Sequence, residues 1–172
     1  QDAGDARGIS CSAAISCAKG GELALALRLL SSMPGKFVRP NEISYSAAIS
    51  ACEKGGEWAL ALSRLSAMPG RRVTPDEISY NAAISACEKG GEWTLALGLL
   101  SSMPRTRVTA SAISYDAAID ACEKVGEWAL ALSLLSSMPR MRVTPDEINC
   151  SAAISACEKG QEWALALSLL SS

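Results

Sequence analysis

The side chains that could do chemistry in this 172-residue chain are few. There is no histidine, so the commonest general acid or base and the commonest metal ligand are both missing. No glycine-rich phosphate loop follows a strand, and the acidic residues are explained by helix caps and turns. The sequence therefore predicts a non-enzymatic protein with no catalytic residues, no cofactor, no metal site and no small-molecule substrate.

Cysteine is the one reactive residue type that recurs, with seven in the chain. Stacked helices lie about 8–10 Å apart, whereas a disulfide needs Cα atoms within about 7 Å. Zinc would lack its usual ligand set, because there is no histidine and no closely spaced cysteine pair. We expect buried, reduced, metal-free thiols, which suit a reducing, intracellular compartment. Four of them stand 35 residues apart: Cys52, Cys87, Cys122 and Cys157.

Lysine also recurs, in the last turn of a predicted helix, where the helix dipole favours a cation. Four of these five lysines directly follow a glutamate, which offsets their charge locally. Asp116 and Asp120 lie four residues apart, so they share one face of a helix. The lysines are Lys19, Lys54, Lys89, Lys124 and Lys159.

One repeated unit explains these spacings. A fixed period of this length is the signature of a stacked repeat architecture. We expect a lead-in at residues 1–8 and a single array over 9–172, with repeats at about 8–41, 42–76, 77–111, 112–146 and 147–172, the last incomplete. Successive copies open 35 residues apart, after a first copy 34 residues earlier, at Ile9, Ile43, Ile78, Ile113 and Ile148.

Each copy predicts two helices. The segment SYSAAISACEK has helical spacing and ends at Gly55, and a second helix runs from Glu57 to Pro69. The stretch from Thr74 to Glu77 predicts a capping box. Copy four lacks that stretch, so its first helix should start less firmly. We expect an all-α chain of ten helices in five antiparallel pairs, each helix about 11–14 residues long.

Tryptophan recurs at the start of each second helix from copy two onward. The structural interpretation is a repeated contact between neighbouring copies, because each tryptophan is the first large apolar residue of a helix that otherwise packs. The functional alternative is a stacking ladder for bases. The residues are Trp58, Trp93, Trp128 and Trp163.

The charge balance and the chain ends bear on partners and location. The formal net charge is −2, whereas dedicated nucleic-acid binders are usually basic. No apolar run approaches the roughly 18 residues of a membrane span. The chain begins without Met and stops inside a second helix, so we expect a fragment of a longer protein, with any targeting peptide before Gln1.

In combination, these motifs resemble those of the pentatricopeptide repeat family. They are the 35-residue period, Ile-x-Tyr-x opening the first helix, Lys-Gly at its end, Ala-Leu in the second helix, a closing Met, and Pro-Asp before the next copy. The resemblance covers residues 9–172, and the SAAISACEKGGEWALAL variant is similar to that of algal organelle proteins. It implies an α-solenoid of about five stacked repeats in a right-handed superhelix, with the first helices lining a concave surface.

The resemblance also implies binding of single-stranded RNA, about one base per repeat. Two residues of each copy would read the base: Ser12 with Asn41, Ser46 with Asp76, Asn81 with Ser111, Asp116 with Asp146, and Ser151. In the family the first three pairs suggest adenine, guanine and cytosine, whereas a pair of aspartates matches no base.

The remaining contacts implied by the resemblance are apolar and ionic. The isoleucines that open the copies would sandwich the bases, and the five lysines would face phosphates. The alternatives are that the isoleucines are core, that the lysines only suit helix ends, and that the reading residues are small polar surface.

Two functions are consistent with these observations. The first is a sequence-reading RNA-binding module in an organelle, the chloroplast rather than the mitochondrion. The second is a scaffold that holds protein subunits of a large organellar assembly, such as a photosynthetic, respiratory or ribosomal complex. The period, the reading positions and the lysine row favour RNA. The acidic balance, the aspartates of copy four and the small number of repeats favour protein.

Overall fold

Short helices, joined in pairs, build the fold. The structure, a computed structural model, describes residues 23–32, 40–162 and 164, and these residues contain no strand. This part of the chain is an α-solenoid of helical repeats, as the sequence predicts. The helices are α1 (Leu23–Ser32), α2 (Glu42–Lys54), α3 (Trp58–Ala67), α4 (Glu77–Lys89), α5 (Trp93–Ser102), α6 (Ala112–Val125), α7 (Trp128–Ser137) and α8 (Glu147–Lys159).

The two helices of a copy differ in length. The first helices have 13 or 14 residues, and the second helices have 10, which is shorter than expected. The proline after each closing methionine has no N–H to donate, so the α-helix gives way to a single 3-10 turn. The first helix of copy one and the second helix of copy five lie outside the described residues. No described helix is long and apolar enough to cross a membrane.

Three of the four described first helices are capped by an asparagine or aspartate directly before them: Asn41, Asp76 and Asp146. The Ser79 N–H donates to Asp76 Oδ1 at 2.8 Å, which makes Asp76 the cap of α4. The capping box predicted from Thr74 was therefore placed two residues too early. Thr74 lies outside the helix, and its hydroxyl donates instead to Glu42 Oε1 at 3.0 Å.

Copy four keeps a capping box of its own. Ser111 precedes α6, and its N–H donates to Ser114 Oγ at 3.1 Å. Helix α6 has 14 residues and is the longest described. A serine three residues after Ser111 thus supplies a partner for the cap, and the expectation that this helix starts less firmly stays a prediction.

Copies two to four each have a residue in the left-handed backbone conformation in the turn between the two helices and another in the turn after the second helix. The turn between the two helices uses glycine at φ +72° in Gly56, +76° in Gly91 and +75° in Gly126, and copy five uses Gln161 at +61°. The 3-10 turn after the second helix ends instead on an arginine at φ +61° or +62° in every described copy: Arg72, Arg107 and Arg142.

The chain divides into two compact units, residues 1–86 and 87–172. In the first unit, α2 packs against α1 and α3, and Ile49 and Met68 are fully buried. In the second unit, α6 packs against α5, α7 and α8, and Ile119 and Met138 are fully buried. Within each unit a helix therefore packs against its own copy and a neighbouring copy, as stacked repeats require.

The cysteine row lies in these cores. Cys52, Cys87, Cys122 and Cys157 have no exposed surface, and the five cysteines of the described residues are free thiols. The prediction of buried, unbridged thiols is confirmed for these four. Burial, with a smaller contribution from a nearby glutamate, raises the pKa of Cys87 and Cys122 to about 11.

Trp128 contacts the next copy. A Cβ added to Gly160, at the end of α8, would overlap the Trp128 indole, so the indole lies directly against that backbone. Trp58, Trp93 and Trp128 are all half-buried. The structural interpretation of the tryptophan row, a contact between copies, therefore holds for Trp128. Trp163 lies outside the described residues.

Two glycine substitutions should shift stability in opposite directions. In Gly98→Ala the new Cβ meets nothing within 4 Å, so the better helix propensity of alanine should stabilise α5 by about 0.5–1 kcal/mol. In Gly160→Ala the new Cβ meets the Trp128 indole, and overpacking should cost about 1–3 kcal/mol. Urea unfolding of both variants beside the parent measures the two shifts, and equal signs would contradict this packing.

The four core thiols should be protected from modification in the native protein. Because the thiolate is the reactive species, burial and a raised pKa should limit their reaction with an aromatic disulfide reagent to the rate of unfolding. Cys150, which is half-buried, should react sooner. Mass spectrometry of quenched samples assigns each site, and rapid native labelling of Cys87 or Cys122 would show that the core is open.

Candidate nucleic-acid interface

Four large apolar side chains project from the first turn of the first helices. The exposed fraction is 60% for Ile43, 63% for Ile78, 62% for Ile113 and 61% for Ile148. The alternative that these four isoleucines belong to the core is therefore wrong. Ile9, the fifth of the row, lies outside the described residues.

Helix geometry explains why these isoleucines are exposed. In α2 the buried side chains Tyr45, Ile49 and Cys52 follow the three- and four-residue spacing of a single face. Ile43 precedes Tyr45 by two residues, which is about 200° around the helix. The same offset in each first helix places the isoleucines away from the buried stripe.

The predicted reading residues of copy two lie together. Ser46 Oγ is 3.2 Å from Asp76 Oδ1 and 3.0 Å from Ser79 Oγ. The Ser79 hydroxyl also donates to Asp76 Oδ1. The cap of α4 therefore closes over Ser46, which is 30 residues earlier in the chain.

Copy four builds the same junction from different residues. Asn149 takes the place of Ser79 and is fully buried. Its Nδ2 donates to Asp116 Oδ1, and its Oδ1 accepts the Asp146 N–H at 2.9 Å. Its own N–H donates to Asp146 Oδ1 at 3.0 Å. Because an amide both donates and accepts, Asn149 links the two aspartates of the predicted reading pair.

Two carboxyl groups of copy four, those of Asp116 and Asp120, have raised pKa values. Burial, together with the charges of Asp146 and Asp120, raises the pKa of Asp116 to about 6, against the lowering effect of the Asn149 bond. Burial also raises the pKa of Asp120, with smaller contributions from nearby glutamates. Two partly buried acids therefore share this part of α6.

The other reading residues are placed one by one. Asn41 caps α2, and its Oδ1 accepts the Ser44 N–H at 3.0 Å. Asn81 is half-buried in α4, Ser111 caps α6, and Ser151 is exposed on α8. Ser12 lies outside the described residues.

Two lysines of the row form ion pairs between copies. Lys124 Nζ lies 2.5 Å from Glu88 Oε1, and Lys159 Nζ lies 2.9 Å from Glu123 Oε1. Each glutamate lies in the last turn of the first helix of the preceding copy, and both lysines keep about half of their side chain in water. Lys54 and Lys89 are also exposed, and Lys19 lies outside the described residues.

Sequence reasoning missed the third residue of the first helix, which joins two of the reading pairs. Ser79 and Asn149 are both fully buried, and each bonds to a reading residue of the preceding copy. Their signal was available, because each stands three residues after an aspartate, the spacing of a capping box. The contact across copies had no such signal.

The arrangement combines an apolar row, polar junctions and cations on the same first helices. Within the described residues, no three Cys, Asp or Glu side chains are placed to hold a metal ion. Isoleucines can cover the flat faces of a ligand, while the hydroxyls and carboxyls beside them can bond to its polar edge.

Comparison with known proteins identifies the repeat. A profile of the pentatricopeptide repeat domain matches residues 28–92, and a profile of the PPR repeat matches residues 78–108 and 113–143. The chain belongs to the pentatricopeptide repeat family. A search of curated proteins finds none that matches it.

Solved pentatricopeptide repeat structures share the fold. The PPR domain of Arabidopsis thaliana protein-only RNase P 1, in complex with tRNA, is 17% identical with a TM-score of 0.74, over 88% of this chain and 82% of that chain. PPR10, in complex with an 18-nt psaJ RNA element, is 21% identical with a TM-score of 0.79, over 94% of this chain and 23% of that chain. Nuclear proteinaceous RNase P 2 from A. thaliana is 14% identical with a TM-score of 0.80, over 95% of this chain and 37% of that chain. This chain therefore spans less than half the length of the last two.

Asp116→Asn should stabilise the protein near neutral pH. Folding raises the Asp116 pKa from 3.8 to about 6, so the folded state binds a proton more tightly than the unfolded state. The cost to stability is fully present above the folded pKa and disappears as the pH falls below the unfolded value. Because Asp116 is only partly buried, water screens its charge, and we expect a gain of only about 0.5–1.5 kcal/mol at neutral pH and none in strong acid.

Urea unfolding of parent and variant at both pH values measures this gain. Asparagine keeps an oxygen for the Asn149 bond, so the substitution changes the charge with little change in shape. Glu147→Gln removes an exposed carboxyl from the first turn of α8 and is the matched control, for which no gain is expected. An Asp116→Asn gain that is the same at neutral and acid pH would exclude titration of Asp116 as its cause.

Proposed function

We propose that this chain is a non-enzymatic module that holds single-stranded RNA, about one base per repeat, in an organelle. The observation that carries the proposal is the row of four exposed isoleucines at one position of successive first helices. Two proteins of the same fold were solved with RNA: the PPR domain of RNase P 1 with tRNA, and PPR10 with an RNA element. These relatives make RNA the first ligand to test.

The isoleucine row suits nucleic-acid bases for a physical reason. Every base has a flat apolar face, so stacking on a protein platform tolerates any sequence. A base lying on Ile113 would remove most of its exposed apolar surface from water, which contributes on the order of 1 kcal/mol per site. Because the isoleucine recurs in each copy, this contribution would be repeated once per copy.

Base identity would be read at the polar junctions beside the row. In copy two, the hydroxyl of the buried Ser46 lies 3.2 Å from the carboxylate of Asp76, and a carboxylate accepts from the N–H groups of guanine. Copies one to three then favour adenine, guanine and cytosine, 5′ to 3′ in the parallel alignment of the family. The two aspartates of copy four interrupt this series.

Electrostatics should make the affinity modest. Lys124 and Lys159 each keep a glutamate partner, so a phosphate must compete with an existing ion pair. Few cations remain to release counterions, and binding should weaken as salt rises. The carboxyls of Asp116 and Asp120 oppose phosphates further.

A protein scaffold in a large organellar assembly is the second candidate function. The observation that favours it is the pair of half-buried acids in copy four, Asp116 and Asp120, on the helix that also carries Ile113. A cationic side chain of a partner protein would be stabilised there, whereas a phosphate would be repelled. The chloroplast is the compartment we propose for either function.

Single isoleucine substitutions test the RNA proposal. Ile113→Ala should weaken binding of a short AGC-containing RNA by about fivefold, because it removes one apolar platform from a largely exposed position. Leu95→Ala, an equally simple change on the second-helix side, should leave the affinity unchanged. Fluorescence anisotropy at low salt measures both, with urea unfolding to show that neither variant is unstable. Equal losses in the two variants would contradict a specific isoleucine platform.

The double variant Asp116→Asn with Asp120→Ser separates RNA from protein as the partner. If RNA lies on this face, removing two carboxyls should tighten binding by relieving repulsion. If the face holds protein, neither parent nor variant should bind RNA, and the variant should weaken docking of the protein that contacts it. No RNA binding by either form at low salt would exclude the RNA proposal for this chain.

A further inference from the structure

The second helices and linkers of the second unit carry one sign of charge. Residues 93–110 and 128–143 contain no acidic residue, although the whole chain has 18 of them. The acids of this unit lie elsewhere, on α4, α6 and α8 and in the turns beside these first helices. The charged residues of the two segments are Arg105, Arg107, Arg140 and Arg142, all of which are exposed.

An apolar groove lies between these two segments. Its volume is about 520 Å³, and α5 and α7 contribute Leu97, Leu100 and Leu134 to it. Pro104 and Met141 form its other end, where a second apolar hollow of about 230 Å³ begins and extends to Arg107. The groove is therefore continuous with the arginine edge.

Gly98 lines the wall of this groove. It lies in the middle of α5, where a Cβ would meet nothing within 4 Å. The corresponding residues of the copies before and after are Ser63 and Ser133. Glycine costs helix stability at such a position, and here it leaves space at the groove wall.

Two arginines of these segments, of which Arg107 lines the second hollow, have a conformation that favours glycine. Arg107 has φ +61° and Arg142 has φ +62°. The same unit places glycine at its other left-handed turn, in Gly91 and Gly126. Arginine at these positions therefore costs stability that glycine would recover, so its side chain is explained by a contact outside the chain.

We propose that this arginine-edged groove docks an apolar, acidic helical segment of another protein. Apolar side chains at helical spacing would fill the two hollows, and carboxylates beside them would meet the arginines. The lining is mainly aliphatic and recessed, which suits inserted side chains better than stacked bases. A flat membrane surface could not fill a recess between two helices.

Selection from a random library tests the chemistry of the partner without assuming its sequence. A phage-displayed library of 16-residue peptides is panned on the protein at moderate salt. The enriched peptides should carry three or more apolar residues at helical spacing together with net negative charge. No enrichment, or enrichment of basic peptides, would overturn the proposal.

A groove-filling substitution then locates the site. Gly98→Phe should weaken binding of the selected peptide at least about tenfold, because the ring occupies the space at the groove wall. Ser133→Phe is the matched control, since it places the same ring at the same helix position one copy later, outside this groove. Unchanged affinity in Gly98→Phe, with the native helical content retained, would exclude the groove.

Arg107→Gly separates a binding role from a structural one. Relief of the left-handed conformation should raise the urea midpoint of unfolding. Loss of the guanidinium should weaken binding of the peptide about threefold to tenfold and reduce the salt dependence of binding. A more stable variant with unchanged peptide affinity would overturn the role of the arginine edge.

The same variants also test two other classes of partner, RNA and a membrane surface. A single-stranded RNA that competes with the peptide for the parent protein, and loses affinity in Gly98→Phe, would identify the groove as an RNA site. Binding of vesicles in which one third of the lipid is anionic to the parent, but not to Arg107→Gly, would identify the groove as a membrane contact. Either result would overturn docking of a protein segment.

Discussion

The close approach of one first helix to the next is the constraint on which the rest of the structure depends. Helix α6 lies against α8, and both bury a stripe of alanines. Small side chains let helices pack closely, and the interdigitation that follows fixes their register. That register brings Asp116 to Asn149 and Glu123 to Lys159, each across more than 30 residues of sequence.

Fixed register also separates the surfaces of the repeat. The buried stripe of each first helix leaves its isoleucine in water, beside a polar junction built from two copies. The second helices of the second unit are rich in large apolar residues, and residues 103–110 and 138–143, which follow them, carry arginine as their only charged residue type. The left-handed arginines and the partly buried Asp116 both cost stability, and residues that break local rules in this way concentrate where a protein makes contacts.

The period and composition were enough to predict the all-α repeat architecture and the burial of the cysteine row. They could not fix the cap register, because Thr74–Glu77 and Asp76–Ser79 both have the spacing of a capping box. Nor could they decide between exposed and buried isoleucines, since the answer depends on which stripe of the helix meets its neighbours. The link from Asn149 to Asp116 required coordinates, because it joins residues 33 apart whose pairing has no local pattern.

Methyl NMR of isoleucine tests most directly whether the exposed row holds bases. The chain has ten isoleucines in two rows of the same period, one exposed at Ile43, Ile78, Ile113 and Ile148, and one whose members Ile49, Ile84 and Ile119 are fully buried. On titration with the AGC-containing RNA, ring currents of stacked bases should shift the exposed row and leave the buried row nearly unchanged. Shifts spread evenly over both rows, or absent from the exposed row while RNA is bound, would contradict a base-holding isoleucine row.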